Sequence, residues 1–350
     1  MEKYYTRACN FYYGSESKSK VKKKLSLQLN GNNNISFDCI EILTRKSKKK
    51  IHIKEIKNQS KNLRKKIFQD LKIITQIKRF KKLNLKKTPI LMGVLNLTPD
   101  SFSDGGKFNK KNLAYKHCEK LIRAGCKIID IGGESTRPGS HEINKKKEWK
   151  RVSPIIKKLK KQNKFISLDT RKSWIMEKGI KNNVTMINDI SGLNYDSGSL
   201  KVLKKYNISF VVHHIQGNPK TMQKNPKYKN VLLDVYDYFE QKINEIRKIG
   251  IKHNNILLDP GIGFGKNLKH NITLISNISI FHSLGFPILI GISRKRFIKD
   301  LSGNNDTKNR IGGTVSSTLC GMMQGVQIFR VHNANEVNQS VKVFNSLKFK

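Results

Sequence analysis

Residues 127–139 read KIIDIGGESTRPG. A short apolar run stops abruptly at two glycines and a carboxylate, Gly132-Gly133-Glu134. Seven other runs behave alike: 90–95 leads into Asn96, 164–168 into Asp169, 184–187 into Asn188-Asp189, and 209–212 into His213-His214. Residues 255–258 lead into Asp259, 287–290 into Ser293-Arg294-Lys295, and 326–331 into His332, with Arg330 late in the last run. Helical patterns lie between them, at 112–124, 149–161, 173–182, 199–206, 232–249, 272–282, 312–324 and 335–347. Strands alternating with helices are the signature of a parallel α/β sheet. Eight such units predict a closed (β/α)8 barrel, whose active site lies where the strands end. The polar residues then gather on one rim. A doubly wound open sheet is the structural alternative.

The chain of 350 residues has room for a barrel and an additional piece. No apolar run approaches the ~20 residues of a membrane span, and the first residues carry no apolar signal core. The five cysteines form no CxxC pair, which reads as reduced thiols and a cytoplasmic protein. Lys and Arg number 70 against 25 Asp and Glu, a net charge of +45. Such charge suits nucleic acid or an anionic membrane. The excess runs along the whole chain, so solvated faces are the preferred reading, with nucleic acid and membrane not expected as partners. The charge would still draw in a small polyanion.

Residues 1–60 do not follow the barrel pattern. Alternation at 25–29, 35–42 and 51–54 predicts two or three short strands, a small basic α+β extension. A one-residue slip at Ile40 suggests a bulge. Leu63, Ile67, Leu71, Ile74, Ile77 and Phe80 then recur at helical spacing, giving an amphipathic linking helix over 61–87. Residues 88–350 are expected to form the barrel.

The loop after the first run, N-L-T-P-D-S-F-S-D-G-G from Asn96 to Gly106, is polar and long, and long loops are usually functional. Asn96 offers a hard oxygen suited to Mg2+. In the second loop Arg137 presents a planar fork for a carboxylate or phosphate, unless it merely pairs with Glu134 on the surface. Asp169, Asn188 and Asp259 end the third, fourth and sixth strands. Two carboxylates and an amide on one cavity match a flat ligand with a donor-rich edge, such as a 2-amino-4-oxo pyrimidine ring. Asp189 points the other way and reads as support. D-P-G-I-G-F-G-K, Asp259 to Lys266, lacks the spacing of a nucleotide loop; Phe264 is placed to contact an aromatic ligand or to anchor the loop. Basic residues after strands seven and eight, where barrels often bind phosphate, make an anion pocket of Arg330 and His332, which share a strand face. His213 and His214 face opposite ways, so a shared metal is not expected.

The strings MGVLNLTPDSFSDGG, IIDIGGESTRPG, SLDTRKS, INDISGL, QGNPKTMQ, LLDPGIGFGKN, GISRKRF and FRVHN resemble the dihydropteroate synthase family over residues 88–348. The resemblance implies a TIM barrel that condenses 6-hydroxymethyl-7,8-dihydropterin diphosphate with p-aminobenzoate, requires Mg2+ and forms a homodimer. It implies catalytic roles for Lys295, Asp169 and Arg330. Asp169, Asn188, Asp259 and Lys295 would hold the pterin; Asn96, Arg330 and His332 the diphosphate, with Asn96 on the metal. Thr136, Arg137, Pro138 and Phe264 would shape the p-aminobenzoate site. The chain departs from the pattern at Arg296, where the family has Ser, at His213 in place of Met, and at Asn333 in place of Asp. A pterin-binding methyltransferase shares the barrel, but Arg330 and His332 favour a diphosphate substrate.

Overall fold

A computed structural model describes residues 2–81, 83–85, 88–98, 110–135, 139–160 and 164–349. The N-terminal module contains β1 (Tyr5–Tyr13), α1 (Gly14–Lys22), β2 (Leu27–Leu29), β3 (Asn32–Leu43) and β4 (Lys48–His52). A 3-10 turn, Ile53–Asn58, leads to α2 (Lys61–Thr75). All four strands are antiparallel: β3 pairs with β1 along one edge and with β2 and β4 along the other.

The slip at Ile40 is not a bulge in β3. Both ladders keep one register from Cys39 to Leu43. The irregularity lies in the partner strand, where Asn10 takes φ +59°, a conformation that Asn tolerates better than most residues. A register shift does occur, between Gln28 and Leu29 of β2. The strand β1 and helix α1 go beyond the expected two or three strands. Neither has a clean period, because YTRACNFYY mixes apolar and polar residues on both sides and GSESKSKVK is almost wholly polar.

Helix α2 lays Ile67, Leu71 and Ile74 in one apolar cluster with Ala8, Leu29, Phe37 and Ile40 of the sheet. Each such burial contributes about 1.5–3 kcal/mol. The module docks on the barrel flank. Tyr5 packs edge-on to Tyr236 with ring centroids 5.1 Å apart, and its hydroxyl donates to Asp237 at 2.9 Å. Lys3 pairs with Asp237 and Glu240, and Arg45 with Asp234 and Asp237. Ser279 Oγ donates to the backbone oxygen of Ala8 at 2.9 Å.

The barrel follows as β5 (Ile90–Asn96), α3 (Lys110–Arg123), β6 (Ile128–Gly132), α4 (Lys145–Lys160), β7 (Phe165–Asp169), α5 (Ser173–Lys181), β8 (Met186–Asp189), α6 (Ser199–Tyr206) and β9 (Ser209–His213). It continues with α7 (Val231–Lys248), β10 (Ile256–Asp259), α8 (Leu268–Ser276), β11 (Leu289–Ile290), α9 (Arg296–Ser302), α10 (Ile311–Met323), β12 (Ile328–Val331) and α11 (Ala334–Lys348). All eight expected strands are present and parallel, in the order β10-β9-β8-β7-β6-β5-β12-β11. The ring closes through a single bridge, Leu258 to Ile288. Helix α9 is additional to the expected set, too short at seven residues to show a period.

Side chains alternate across each strand. Leu91, Ile129, Leu168, Ile187, Phe210 and Phe329 face the helices. Met92, Ile128, Met186, Val211, Leu257, Leu289 and Ile328 fill the barrel's lower layer, and Phe80 plugs it from below. Two residues further up, the inward layer turns polar: Asp130, Asn188, His213, Asp259 and Arg330. The same period of two that builds the core therefore floors the site.

Candidate active site

Arg330 organises this upper layer. Its Nε donates to Asp130 Oδ2 at 2.7 Å, and its Nη2 to Asp169 Oδ2 at 2.9 Å. Asp130 is fully buried and also accepts from Ser167 Oγ at 2.6 Å and Asn188 Nδ2 at 3.1 Å. Sequence reasoning missed Asp130, although a carboxylate inside the run I-I-D-I-G, two residues above Ile128, was the available signal. Asp169 accepts at one oxygen while burial, and then the Asp130 charge, raise its affinity for a proton; Arg330 opposes them. Among the described residues Nη1 of Arg330 has no partner and remains available to an anion.

Asn188, His213, Asp259, Phe264, Lys295 and Arg330 line one cavity. The pterin residues named from the sequence thus meet in a single cup, with Asp169 joined to it through Arg330. Asp259 accepts from the Gly261 amide at 2.8 Å, and burial pushes its carboxyl up to about 6. Lys295 is lowered to about 8, first by burial and then by Arg330. Its Nζ stands 4.1 Å from the centre of the Phe264 ring, a cation–π contact. Phe264 also meets His213 edge-on, with centroids 4.7 Å apart.

The Phe264 loop is held from behind. Gly261, Gly263 and Gly265 all have positive φ, and a Cβ on Gly261 would stand 1.9 Å from the His214 carbonyl oxygen. The Gly263 amide donates to Asn271 Oδ1 at 2.7 Å and the Phe264 amide to the Gly261 oxygen at 3.0 Å. These amides are used internally, which argues against a phosphate cradle. Lys266, absent from the sequence reading of the site, is buried beneath the loop. Its Nζ lies 2.9 Å from both His214 Nδ1 and the Phe264 oxygen, and burial lowers it to about 7. His213 faces the cup and His214 faces away, as alternation requires; burial holds both imidazoles neutral.

Asn96 and His332 flank the cup. Gly132 lacks the side chain that would separate Asn96 from Asp169: a Cβ there would stand 3.4 Å from Asn96 Oδ1 and 3.6 Å from Asp169 Oδ2. His332 Nδ1 lies 3.2 Å from Ser293 Oγ. Among the described residues no cluster of three or more His, Cys, Asp or Glu could hold a metal alone. Mg2+ commonly keeps waters and takes one or two protein oxygens plus substrate phosphates, which suits the Asn96 amide oxygen.

Thr136, Arg137 and Pro138 lie outside the described residues. Glu134 is nevertheless committed: Arg171 Nε donates to it at 3.0 Å, Lys172 Nζ at 2.8 Å and the Ile143 amide at 2.9 Å. Lys172 bridges on to the fully buried Glu148 at 2.7 Å. A surface pair between Glu134 and Arg137 is therefore not needed to neutralise the carboxylate. Asp189 is a support, accepting from the Ser191 amide and hydroxyl at 2.8 and 2.6 Å. Arg294 Nε donates to Asn333 Oδ1 at 2.7 Å, tying the last two loops together. Arg296 is exposed and pairs with Asp300 at 3.5 Å.

Residues 92–332 match the pterin binding enzyme family. The chain is similar to the dihydropteroate synthase of Escherichia coli K12, 41% identical over 256 residues that cover 73% of this chain and 90% of that one. The synthase of Neisseria meningitidis serogroup B is also 41% identical, over 74% and 93% of the two chains. Among solved structures, the Yersinia pestis synthase bound to a sulfonamide drug superposes with a TM-score of 0.72 at 38% identity, covering 76% of this chain and 96% of that one. The Xanthomonas albilineans synthase with 4-aminobenzoic acid gives 0.71 at 33% identity, over 76% and 94%. The barrel, the cup at its rim and these likenesses agree: the chain belongs to the pterin-binding enzymes, as a member of the dihydropteroate synthase family.

Proposed function

We propose that the chain joins 6-hydroxymethyl-7,8-dihydropterin diphosphate to p-aminobenzoate, giving 7,8-dihydropteroate and diphosphate. The arrangement that carries this reading is Arg330 spanning Asp130 and Asp169 beside Asp259, Asn188 and Lys295. Asp259 and Asn188 suit the amino and ring N–H groups of a pterin, and Phe264 with the Lys295 stem supplies apolar surface beside it. Arg330 Nη1, His332 and Asn96 suit the diphosphate. Bound Mg2+ would neutralise charge on the leaving oxygens.

The carboxylates of Asp130, Asp169 and Asp259 alternate with the cations of Arg330, Lys295 and Lys266, and Asp259, when ionised, lines the cup itself. Its charge favours positive charge developing on the pterin methylene as its C–O bond breaks. The amine of p-aminobenzoate attacks this carbon, forms the C–N bond and loses a proton; diphosphate departs with the electron pair. No protein nucleophile is required. Thr136, Arg137 and Pro138 would complete the p-aminobenzoate end. A homodimer in a reducing compartment accords with the family and with five free cysteines. Among the described residues no helix is long and apolar enough to cross a membrane.

The test is diphosphate release by the full chain with both substrates and Mg2+. Release that requires p-aminobenzoate and yields dihydropteroate is expected. Binding of the pterin substrate without any condensation would overturn the reading.

A further inference from the structure

A second cavity, of about 620 Å3, lies at the end of the barrel opposite the rim. It sits where the turn between β2 and β3, the segment after α2, and the ends of α10 and α11 meet. Its size falls in the ~300–1,000 Å3 range of small-molecule sites. Nothing in the reaction above uses it.

Its chemistry is set by Lys78, which lines the cavity at only 4% exposure. Lysine is rarely buried without a partner. Among the described residues its Nζ donates one hydrogen bond, to the backbone oxygen of Ile73 near the end of α2, a contact that an exposed lysine makes equally well. Among the described residues no carboxylate pairs with it. Its titratable neighbours are His282, whose imidazole burial keeps neutral, and His253, which is lowered; no acid offsets the burial of Lys78, which lowers it to about 8.

The other walls divide by polarity. Asn30, Asn34 and Gln327 line the cavity, and each keeps one amide atom without a partner: Asn30 Oδ1, Asn34 Oδ1 and Gln327 Nε2. Gln327 is 3% exposed, and its Oε1 is fixed by the Ile288 amide at 2.8 Å, which sets the direction of Nε2. Leu29, Leu85, Met322 and Phe349 supply apolar surface.

We propose that this cavity binds a small monocarboxylate with an apolar body, its carboxylate on Lys78 and its body against Leu85, Met322 and Phe349. One cation matches one negative charge. A phosphate dianion would leave a charge uncompensated in a half-enclosed space. The apolar walls would be left wet by an inorganic ion.

The test is calorimetric titration of the full-length protein with octanoate at pH 7, with 1-octanol and inorganic phosphate as comparison probes. Saturable one-to-one binding of octanoate is expected, at least tenfold tighter than that of octanol or phosphate. Lys78→Met keeps the stem, removes the charge and should weaken octanoate at least tenfold. Ser346→Trp fills the mouth from α11, where Ser346 lines the cavity; it should abolish binding while turnover stays unchanged, and it carries the test alone if Lys78→Met fails to fold. Lys295→Ala, which alters the cup, should leave octanoate binding intact. Absence of saturable binding, equal binding by Lys78→Met or Ser346→Trp, loss of binding in Lys295→Ala, or a preference for phosphate overturns the proposal.

Discussion

Arg330 Nε lies 2.7 Å from Asp130 Oδ2, although β5 separates the strands that carry them. The guanidinium therefore reaches past a whole strand inside the barrel, and its second contact, to Asp169, extends one strand further. A planar fork fixed at two corners has little freedom left at the third.

Asp130 should accordingly behave as a positioning residue. Asp130→Asn keeps the shape but weakens the hold on Arg330, because a charged partner is replaced by a neutral one. We expect kcat/KM for the pterin diphosphate to drop about 10²-fold or more, equivalent to roughly 3 kcal/mol at 1.36 kcal/mol per decade. Asp130→Glu should not rescue it. Steady-state kinetics within threefold of the parent would show that Arg330 is set by other means.

Lys295→Ala and Asp169→Asn should each cut turnover severely without unfolding the protein. Circular dichroism and a thermal melt establish the fold, and diphosphate release reports the rate. Near-normal rates in both variants would refute the assignment of the cup.

The pH profile should be bell-shaped. Asp259 titrates near 6 and Lys295 near 8. Below the first value Asp259 takes a proton and ceases to accept from the pterin; above the second Lys295 loses its charge. The kcat/KM for the pterin substrate should fall on both sides. Lys295→Arg should move the alkaline limb upward by more than a unit, and an unmoved limb would assign it to another group.

Asp259 should also cost stability. Its folded pKa is raised from 3.8 to about 6 by burial. The folded state then binds the proton more tightly than the unfolded one, so the favourable contribution is complete below about 4 and is lost as pH rises through about 6. Asp259→Asn, whose Oδ1 can still accept from Gly261, should be inactive yet more stable by about 1–3 kcal/mol at pH 7. A lowered denaturation midpoint would contradict this.

Removing residues 2–60 should leave the apolar face of α2 bare, because Ile67, Leu71 and Ile74 pack on the module's sheet. We expect a lower melting temperature or aggregation on size-exclusion chromatography. A truncated protein that melts with the full chain would show that the barrel does not lean on its appendage.

The barrel was legible because every strand signals twice: an apolar run gives its existence, and the polar residue that follows gives its upper end. Asn188, Asp259 and Lys295 were found in this way, and Arg330 as a basic residue two positions before His332 in the last run. Asp130 was hidden because it lies inside a run, where a carboxylate reads as an interruption; only the inward period of two, counted from Ile128, singles it out. Lys266 was hidden because its value depends on the curl of the three-glycine loop over it, which spacing alone does not reveal. β1 escaped for a different reason: its buried pairs Tyr5-Thr6 and Ala8-Cys9 point to both sides, towards the barrel and α2, so no alternating pattern results. Arg296, a departure from the family pattern, is the first residue of α9 and is exposed beside Asp300.

The docking of the N-terminal module has a consequence for biosynthesis. Tyr5 and its partner Asp237 are 232 positions apart. At roughly 5–20 residues per second, the ribosome would deliver the second about 10–50 s after the first. For that interval the sheet can close on α2, but its barrel-facing side has nothing to cover it. Nascent chains should therefore be most exposed to chaperones and proteases before α7 emerges, and Tyr5, Leu43 and their neighbours are the surface that those factors would meet.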